Sequence, residues 1–460
     1  MCASLDDGKP VRVAIVSKGV VKSTAVVHTA TTKPRGVEWV SAKGITIKGD
    51  LLMAQSGFKV YSYRWVVLLA FMAVVAVNQL LWITFAAVTT QAMQFYGVSD
   101  LSIGLLSLSF LVVYIFVSFP ASWAIDTHGV RLGVGIGAAL TGVFGLVRGL
   151  VAHNYTWVLM AQIAIAIGQP FVLNAVTTIA ARWFPMEERA TASGLGSLAV
   201  YLGILVGLAL TPYLVLRSGI PGMLNAYGIA SAIAMFLFFL VARERPPSPP
   251  CPPHQESRSL MVDGLSKMIR QRDFILLMAI FFVGLGAFNA ITTWIEQILS
   301  PRGFSATQAG NAGGMMIVGG ILGAVVLPLL SDRVRKRAPF LVLAIVGATL
   351  GLAGLTYVTG YALLLIFSFI FGFFLLSAGP IGFQYGAEIT YPAPEGTSNG
   401  LLLLMGQISG IAFILGMDAF KSPGTGSMTV PLLVLIGLLI ICLGFGAQLK
   451  EAVALKSSSG

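Results

Sequence analysis

Long apolar stretches alternate with short polar ones along most of the chain. A helix that crosses a membrane needs about 20 predominantly apolar residues in succession. The sequence holds such runs at residues 64–89, 101–125, 130–151, 155–181, 191–216, 220–242, 273–299, 306–330, 338–358, 361–386, 397–419 and 428–449. This pattern predicts an all-α integral membrane protein with twelve transmembrane helices.

The composition agrees with a membrane protein, and the placement of the charges predicts its orientation. Apolar residues make up 56% of the chain and charged residues 10%, whereas soluble domains carry about 25% charge. Twelve spans put both termini on one side. That side carries 25 of the 29 Lys and Arg residues. Because positive loops stay inside, we expect cytoplasmic termini, with lipid head groups rather than nucleic acid as the partner of these charges. We also expect a location in the plasma membrane.

Two polar segments divide the chain into domains. Residues 1–60 are polar and basic, without periodicity, so we expect a disordered cytoplasmic tail, or a natural translation start at Met53. A Pro-rich cytoplasmic linker at 243–272 separates an N-terminal six-helix bundle at 61–242 from a C-terminal six-helix bundle at 273–449, and a short cytoplasmic tail follows at 450–460.

The two bundles resemble each other in sequence. WFPMEERATASGLG at 183–196 corresponds to TYPAPEGTSNGLL at 390–402, and GQPFVLN at 168–174 corresponds to AGPIGFQ at 378–384. The matches come in the same order in both halves, which predicts two six-helix pseudo-repeats. Secondary transporters use such repeats to build a substrate site at their interface.

Polar side chains occur deep inside some spans. Asn78, Gln79 and Trp82 share one helix face, and Asn78 lies about 20 Å into a core of about 30 Å. Gln169 and Gln407 lie at similar depths. An indole face attracts a cation and amides bind hydroxyl or ammonium groups, so the set predicts a pocket for a polar or cationic organic solute. The alternative is that the amides join helices and that Trp82 belongs to an interfacial aromatic belt.

Ionisable groups are scarce within the spans. Arg148, Glu296 and Asp418 lie near the ends of spans that face away from the termini. Glu296 is a candidate coupling site or gate residue, while the alternative for all three is an end-of-helix charge that snorkels or is paired. The first half has no mid-span Asp, Glu or His, which favours uniport or exchange over proton symport. The histidines fall in loops or the tail and the three cysteines lie far apart, so we expect no metal, cofactor or disulfide framework.

Charged residues cluster in the loops on the side of the termini. Carboxylates there are stabilised by the positive ends of helix dipoles. Arginines from the two halves can pair with these carboxylates and so latch the halves together. Making and breaking such a latch gives a physical basis for alternating access. The candidate latch residues are Asp126, Arg131, Glu188, Arg189, Asp332, Arg333, Glu388 and Glu395. The alternative is simple helix capping with solvated charges.

Loop signatures give the chain a family resemblance. FPASWAIDTHGVR at 119–131 is similar to the motif after the second helix of the major facilitator superfamily. Within that superfamily, GFQYGAEITYPAPEGTSNGLLLLMGQISGI at 382–411 resembles the feline leukaemia virus subgroup C receptor-related family, supported by GQPFVLNA at 168–175. The resemblance covers about 61–449. It implies the major facilitator fold and a transporter of choline, ethanolamine, haem or pyridoxine.

The resemblance also indicates site residues. In choline-carrying relatives a tryptophan of the first helix and glutamines of the fourth and eleventh line the site, which here are Trp82, Gln169 and Gln407. This chain departs from the relatives at Asn289, where they often have an aromatic residue, and at Tyr201, where polar residues are usual. The full set of candidate substrate-binding residues is Trp82, Gln169, Gln407, Asn78, Asn289, Tyr201, Asn174 and Gln384.

We therefore predict a monomeric transporter that moves a small polar or cationic solute, favouring one like choline or ethanolamine. The alternatives within the same fold are haem, pyridoxine or drug-like efflux, and haem is disfavoured because no span holds a histidine. A receptor that does not transport would have large structured loops, but the loops here are short. An enzyme would need a catalytic group such as paired acids in the spans, and the sequence shows none.

Overall fold

The computed structural model of the protein describes residues 11–17, 20–27, 60–185, 188–246, 268, 270–390 and 395–451. Near the N-terminus, strands β1 (Val11–Ser17) and β2 (Val20–Val27) form an antiparallel hairpin. These two segments depart from the disordered tail that we predicted. Val, Ile and Thr are frequent in them, and β-branched residues favour extended backbone. Met53 and most of the linker lie outside the described residues.

The described residues of the first half form seven helices. They are α1 (Tyr63–Ile83), α2 (Thr89–Tyr96), α3 (Asp100–His128), α4 (Val130–Leu150), α5 (Tyr155–Leu173), α6 (Val176–Trp183) and α7 (Arg189–Val241). Helix α7 contains two crossings, because its apolar stretch of 51 residues would be about 75 Å long, more than twice the bilayer core. The chain turns at Gly219, whose φ of 68° suits a residue without a Cβ.

The second half follows a similar plan. Its elements are α8 (Arg272–Thr293), α9 (Ile295–Leu299), the short 3₁₀ helix η1 (Ser300–Arg302), α10 (Ala306–Val334), α11 (Ala338–Tyr357), α12 (Tyr361–Thr390), α13 (Glu395–Ala419) and α14 (Thr429–Gln448). The described residues contain eleven helices long and apolar enough to cross a membrane. Counting α7 twice gives twelve crossings, in agreement with the predicted fold.

Several predicted spans are interrupted. The first was predicted to run to residue 89, but α1 ends at Ile83 and α2 begins at Thr89; the seventh was predicted to run to 299, but α8 ends at Thr293. The carbonyl oxygen of Leu81 in the last turn of α1 accepts hydrogen bonds from Arg148 and Gln162 at 3.2 and 3.0 Å. Side chains of neighbouring helices therefore satisfy the backbone at the break, as a helix break within a membrane requires.

Glycines bring helices of one half into close contact. A Cβ on Gly319 or Gly323 of α10 would collide with the backbone of Phe369 or Phe373 of α12, and one on Gly372 of α12 would collide with Met316 of α10. This arrangement is the small-residue packing that lets membrane helices approach closely. It makes α10 and α12 a tightly packed pair.

The bundle has two ends. We call the end that carries residues 243–246 and 270–271 the linker face, and the described bundle begins there at Val60 and ends there at Glu451. The opposite face carries the connections after α2, α4, α9, α11 and α13. With twelve crossings, α1 begins and α14 ends at the linker face.

Candidate substrate site

Trp82 lies in the last turn of α1 and is fixed against α3. Its indole Nε1 donates to the carbonyl oxygen of Ser107 at 3.1 Å, and the Ser107 hydroxyl donates back to the carbonyl oxygen of Trp82 at 3.3 Å. The side chain is 5% exposed. Since its N–H is already used, the face of the ring is what Trp82 can offer to a solute, and that face attracts cations.

Asn78, one turn before Trp82, bonds to a neighbouring helix. Its Nδ2 donates to Thr141 Oγ1 of α4 at 3.0 Å, and Gln79 Nε2 donates to Asn78 Oδ1 at 3.2 Å. A Cβ on Gly168 of α5 would lie 3.4 Å from the same Thr141 hydroxyl. This contact places Gln169, the next residue, at the level of Asn78. The Asn78 side chain joins α1 to α4, and its contact with substrate stays a prediction.

Three of the candidate side chains have no hydrogen-bond partner among the described residues. These are Gln169 on α5, Tyr201 on α7 and Gln407 on α13. Gln169 is 6% exposed, while Tyr201 and Gln407 are half-buried. An amide or hydroxyl that finds no protein partner needs water or a solute to satisfy it. These three groups are therefore the ones available to a polar ligand.

Asn289 on α8 of the second half lies beside Gln407. Its Nδ2 donates to the carbonyl oxygen of Gly406 at 3.1 Å, next to Gln407. A Cβ on Gly410 would lie 2.8 Å from Asn289 Nδ2 and 3.1 Å from Leu111 of α3.

Helix α3 connects these contacts across the two halves. Ser107 holds Trp82, and Leu111, about 6 Å further along the helix, reaches Gly410 beside Asn289. Trp82 of the first half and Asn289 of the second therefore lie against the same turn of α3. We call Trp82, Gln169, Asn289 and Gln407 the central cluster.

Two candidates lie away from the central cluster. The Asn174 amide nitrogen donates to Ser118 Oγ at 3.0 Å and to Ser122 Oγ at 2.9 Å, and its oxygen accepts from Tyr114 at 2.8 Å, so this side chain joins α5 to α3. Gln384 is exposed on α12 and donates to Glu388 at 2.9 Å. Their predicted contact with substrate stays a prediction.

The two halves meet at the opposite face. Thr90 of α2 donates to the Glu296 carboxylate through its N–H at 3.1 Å and its hydroxyl at 2.7 Å. Lys421 binds Asp100 of the first half and Asp418 of the second. Burial alone would lower the pKa of Lys421, but the hydrogen bonds to both carboxylates outweigh it and raise the pKa, so the charge persists at neutral pH.

Small residues complete this contact. A Cβ on Gly104 of α3 would lie 2.6 Å from Trp294 Cη2, and one on Gly310 of α10 would collide with the carbonyl oxygen of Leu208 of α7. Trp294 is held in place by its Nε1, which donates to the carbonyl oxygen of Ile414 at 3.1 Å. We call the set of contacts Thr90–Glu296, Asp100–Lys421, Gly104–Trp294 and Leu208–Gly310 the opposite-face seam.

The candidate latch residues at the linker face bind mostly within their own half. Glu188 forms a bidentate ion pair with Arg64 of α1, at 3.0 and 3.1 Å. The Arg189 guanidinium donates to the carbonyl oxygens of Phe184 and Ala181. Glu388 and Asp332 both bind Arg337, which lies between α10 and α11.

The remaining latch candidates are solvent-accessible or undescribed. The side chains of Asp126, Arg131 and Arg333 are exposed, and the backbone N–H of Arg131 donates to Glu244 at 2.8 Å. The side chain of Glu395 lies outside the described part of the structure. A latch between the halves therefore stays a prediction, for a conformation in which the linker face closes.

An apolar cavity of about 40 Å³ lies inside the second half. It is enclosed by α8, α11, α12 and α14, and its walls include Phe281, Phe288 and Leu375. Its lining side chains are apolar, so it does not suit a polar solute. It is separate from the unpartnered amides of the central cluster.

Comparison with known proteins decides the family. Residues 66–414 match the family model described as Major Facilitator Superfamily. The chain belongs to the major facilitator superfamily. Within it, the chain is 32% identical over 414 residues to solute carrier family 49 member A3 of Danio rerio, covering 84% of this chain and 87% of that protein. It is also 32% identical over 421 residues to the choline/ethanolamine transporter FLVCR1 of Mus musculus, covering 83% and 74%. The resemblance to the feline leukaemia virus subgroup C receptor-related family is thereby confirmed.

Solved structures of other major facilitators share the fold. A bacterial homologue of the human lysosomal transporter Spinster, in an inward-facing and unoccupied conformation, superposes with a TM-score of 0.69 at 17% identity, covering 84% of this chain and 97% of that one. The protein is an integral membrane transporter of this superfamily. Its relatives are transporters rather than enzymes, in agreement with our expectation.

This major facilitator also contains residues whose roles the sequence did not reveal. Arg148 is 0% exposed, so it does not snorkel. Its Nη1 binds the carbonyl oxygen of Leu81, its Nη2 binds Thr84 Oγ1 at 3.3 Å, and it lies 5.8 Å from the centre of the Phe85 ring. A cation at a helix C-terminus is favoured by the helix dipole, and it fixes the end of α1 that carries Trp82. The sequence signal for this role was an arginine within an apolar run, but the sequence does not show that Arg148 binds the end of α1.

Proposed function

We propose that this transporter carries a small polar or cationic organic solute, similar to choline or ethanolamine, by alternating access. The observation that supports this most is the pair of unpartnered amides, Gln169 from the first half and Gln407 from the second, whose neighbours in the chain contact the same helices as Asn78 and Trp82. A quaternary or primary ammonium group suits the ring face. Its hydroxyl suits the amides, which otherwise lack partners.

The distribution of contacts supports alternating access. The halves touch through the opposite-face seam, while the arginine pairs of the linker face act within single halves. We propose that this conformation is open toward the linker face. With most basic residues on that face, we assign it to the cytoplasm, and a location in the plasma membrane stays a prediction.

We further propose uniport or exchange as the mode of transport. The described spans of the first half place Arg148 at the break of α1 but no mid-span acid that could relay a proton beside the central cluster. Uptake into vesicles should follow the gradient of the solute and be stimulated by solute on the far side. Accumulation driven by a proton gradient would contradict this mode.

Uptake by the purified protein in liposomes tests the substrate. Choline, ethanolamine, pyridoxine and haem should be compared, and we expect choline or ethanolamine to be carried. Gln169→Ala and Gln407→Ala should each raise the KM about tenfold, since a lost hydrogen bond to a charged or hydroxyl group is worth about 1.5 kcal/mol. Trp82→Leu should have a larger effect on a cationic solute than on a neutral one.

A matched control separates binding from folding. Gln448→Ala removes an exposed glutamine amide at the linker face, where it contacts Arg272, and should leave the KM unchanged. Unchanged KM values in both Gln169→Ala and Gln407→Ala, with a solute that the wild type carries, would remove the central cluster as the site. Uptake of haem alone would overturn the proposed substrate class.

A further inference from the structure

Glu296 is a buried acid that bridges the two halves without a cation. It lies in α9, past the end of the span at Thr293, and is 3% exposed. Its partners are Thr90 of the first half and the neighbouring Gln297, whose Nε2 donates at 3.1 Å. No ion pair to Glu296 occurs among the described residues. An ionised carboxylate buried in this way is costly unless a cation or enough donors compensate it.

The hydrogen-bond geometry accommodates a proton on this carboxyl. Oε2 accepts from the Thr90 N–H and from Gln297 Nε2, both at 3.1 Å. Oε1 meets the Thr90 hydroxyl at 2.7 Å, and Gln297 Nε2 also approaches that hydroxyl at 3.3 Å. A hydroxyl oxygen can accept two hydrogen bonds, so a protonated Oε1 can donate to Thr90 while Oε2 keeps its donors. A neutral Glu296 therefore keeps a hydrogen bond to Thr90 through Oε1 and both of the donors to Oε2.

The charged and titratable groups on the surrounding elements are directed elsewhere. On α2, Tyr96 packs its ring on Phe95 and Tyr155. On η1, Arg302 donates to the carbonyl oxygens of Leu355 and Val358. Helix α8 carries Asp273 in its first turn, at the linker face, and α10 carries Asp332 at its far end. On the same face, Lys421 is bound to Asp100 and Asp418.

We propose that the Glu296 carboxyl is a proton-binding site that controls the opposite-face seam: the protonated acid holds Thr90 of the first half and closes the seam, and loss of the proton favours opening. The proton exchanges with the compartment beyond the opposite face, because Glu296 lies on that side of the central cluster. Acid there alters the rate of transport but does not drive accumulation, which is consistent with uniport. The inference rests on the proposed alternating access and not on the identity of the solute.

The sign of the effect follows from linkage. Burial raises the pKa of the Glu296 carboxyl, although hydrogen bonds from Thr90 and Gln297 oppose this shift. When the seam opens, the group becomes hydrated and its pKa falls back toward that of an ordinary glutamate. The closed seam therefore binds the proton more tightly, so closure is favoured below the pKa of the closed state and weakens as the pH rises through it. Between the two pKa values the ratio of open to closed protein rises by up to about tenfold for each pH unit.

A distance measurement tests this directly and needs no substrate. In a background without Cys2, Cys251 and Cys442, spin labels at His153→Cys and Thr359→Cys report the separation of the halves at the opposite face, since both positions are exposed loop residues there. The open population should increase with pH in the otherwise wild-type protein. Glu296→Gln, which imitates the neutral acid, should keep the closed distance at every pH.

Controls distinguish this site from other charges on the same face. Asp418→Asn removes a carboxylate next to Lys421 and should keep the pH dependence. Thr90→Val removes the hydroxyl partner and should raise the open population at low pH, which also provides a test if Glu296→Gln does not fold. A pH-independent wild-type distance, an unchanged pH profile in Glu296→Gln, or a profile that disappears in Asp418→Asn would each overturn the proposal. Failure of choline transport alone would leave it standing, since the labels report closure without solute.

Discussion

The two faces of this transporter are held by different kinds of contact. At the opposite face, the hydrogen bonds of Thr90 to Glu296, one lysine and closely packed glycines join the halves. At the linker face, Arg64 binds Glu188 within the first half, and Arg337 binds Glu388 and Asp332 within the second. Among the described residues, the halves are joined by hydrogen bonds, one lysine ion pair and close packing, whereas the bidentate arginine pairs lie within single halves.

This difference fits a carrier, which must break contacts between its halves and keep the contacts within each half. Single hydrogen bonds and partly exposed ion pairs contribute about 0.5–1.5 kcal/mol each, so a seam made of them can open within a few kcal/mol. Two conformations separated by such an energy are both populated. Bidentate arginine pairs are geometrically rigid. Within one half they hold its helices together, so that the half can move as a rigid body.

The largest effect should come from Gly310→Val, which obstructs the seam. Its side chain would collide with the Leu208 carbonyl and Pro212 of α7, so α10 and α7 must separate. We expect the opposite face to remain open and transport to fall tenfold or more, because overpacking costs about 1–3 kcal/mol. Uptake assays and the distance between labels at residues 153 and 359 measure this.

Gly314→Ala is the matched control for that change. It lies about one turn further along α10, and its Cβ would be 3.4 Å from Ala209 Cβ, an ordinary contact. It should transport as the wild type does. If the opposite face also closes normally in the Gly310→Val protein, packing at the seam does not control the equilibrium between the two conformations.

An intermediate effect is expected from Lys421→Met. The lysine joins Asp100 to Asp418 across the seam, and its loss should favour the open state about fivefold, corresponding to about 1 kcal/mol for a partly exposed pair. Because the pKa of Lys421 is raised above its ordinary value, its contribution is present at neutral pH and is lost as the pH rises through that pKa.

Salt and pH separate this contact from Glu296. Closure in the wild type should weaken with added salt, as a partly exposed pair is screened, and Lys421→Met should remove that salt dependence while keeping the dependence on pH. The label distances, measured at two salt concentrations and at pH 5 and 8, provide the comparison. A salt dependence that persists in the variant would mean that other charges hold the seam.

The sequence predicted most of the architecture, because hydropathy responds directly to lipid. The ninth span was predicted at 338–358 and α11 is Ala338–Tyr357, and the turn between the fifth and sixth spans occurs at Gly219. The breaks after Ile83 and Thr293 were missed. The break after Ile83 depends on partners such as Arg148 and Gln162, which hydropathy does not reveal.

The site was predictable only in part. Depth within the membrane identified Gln169 and Gln407 as candidate substrate-binding residues, and their amides have no hydrogen-bond partner among the described residues. Their role in binding stays a prediction. Depth also selected Asn78, whose partner Thr141 lies 63 residues away in sequence. Thr90 and Glu296 are 206 residues apart, and no local pattern in one sequence links them.

The smallest effect should come from Glu188→Gln at the linker face. The carboxylate binds Arg64 of the same half through two hydrogen bonds, with the glutamate side chain 37% exposed, so its loss should reduce stability by about 0.5–1 kcal/mol and change transport less than twofold. Thermal denaturation and uptake measure the two effects. Labels on the two halves at the linker face should show an unchanged distribution of distances. A shift in that distribution would instead mean that Glu188 pairs across the halves when the linker face closes, as the latch hypothesis requires. The contrast between the two faces would then hold for one conformation of the protein and not for both.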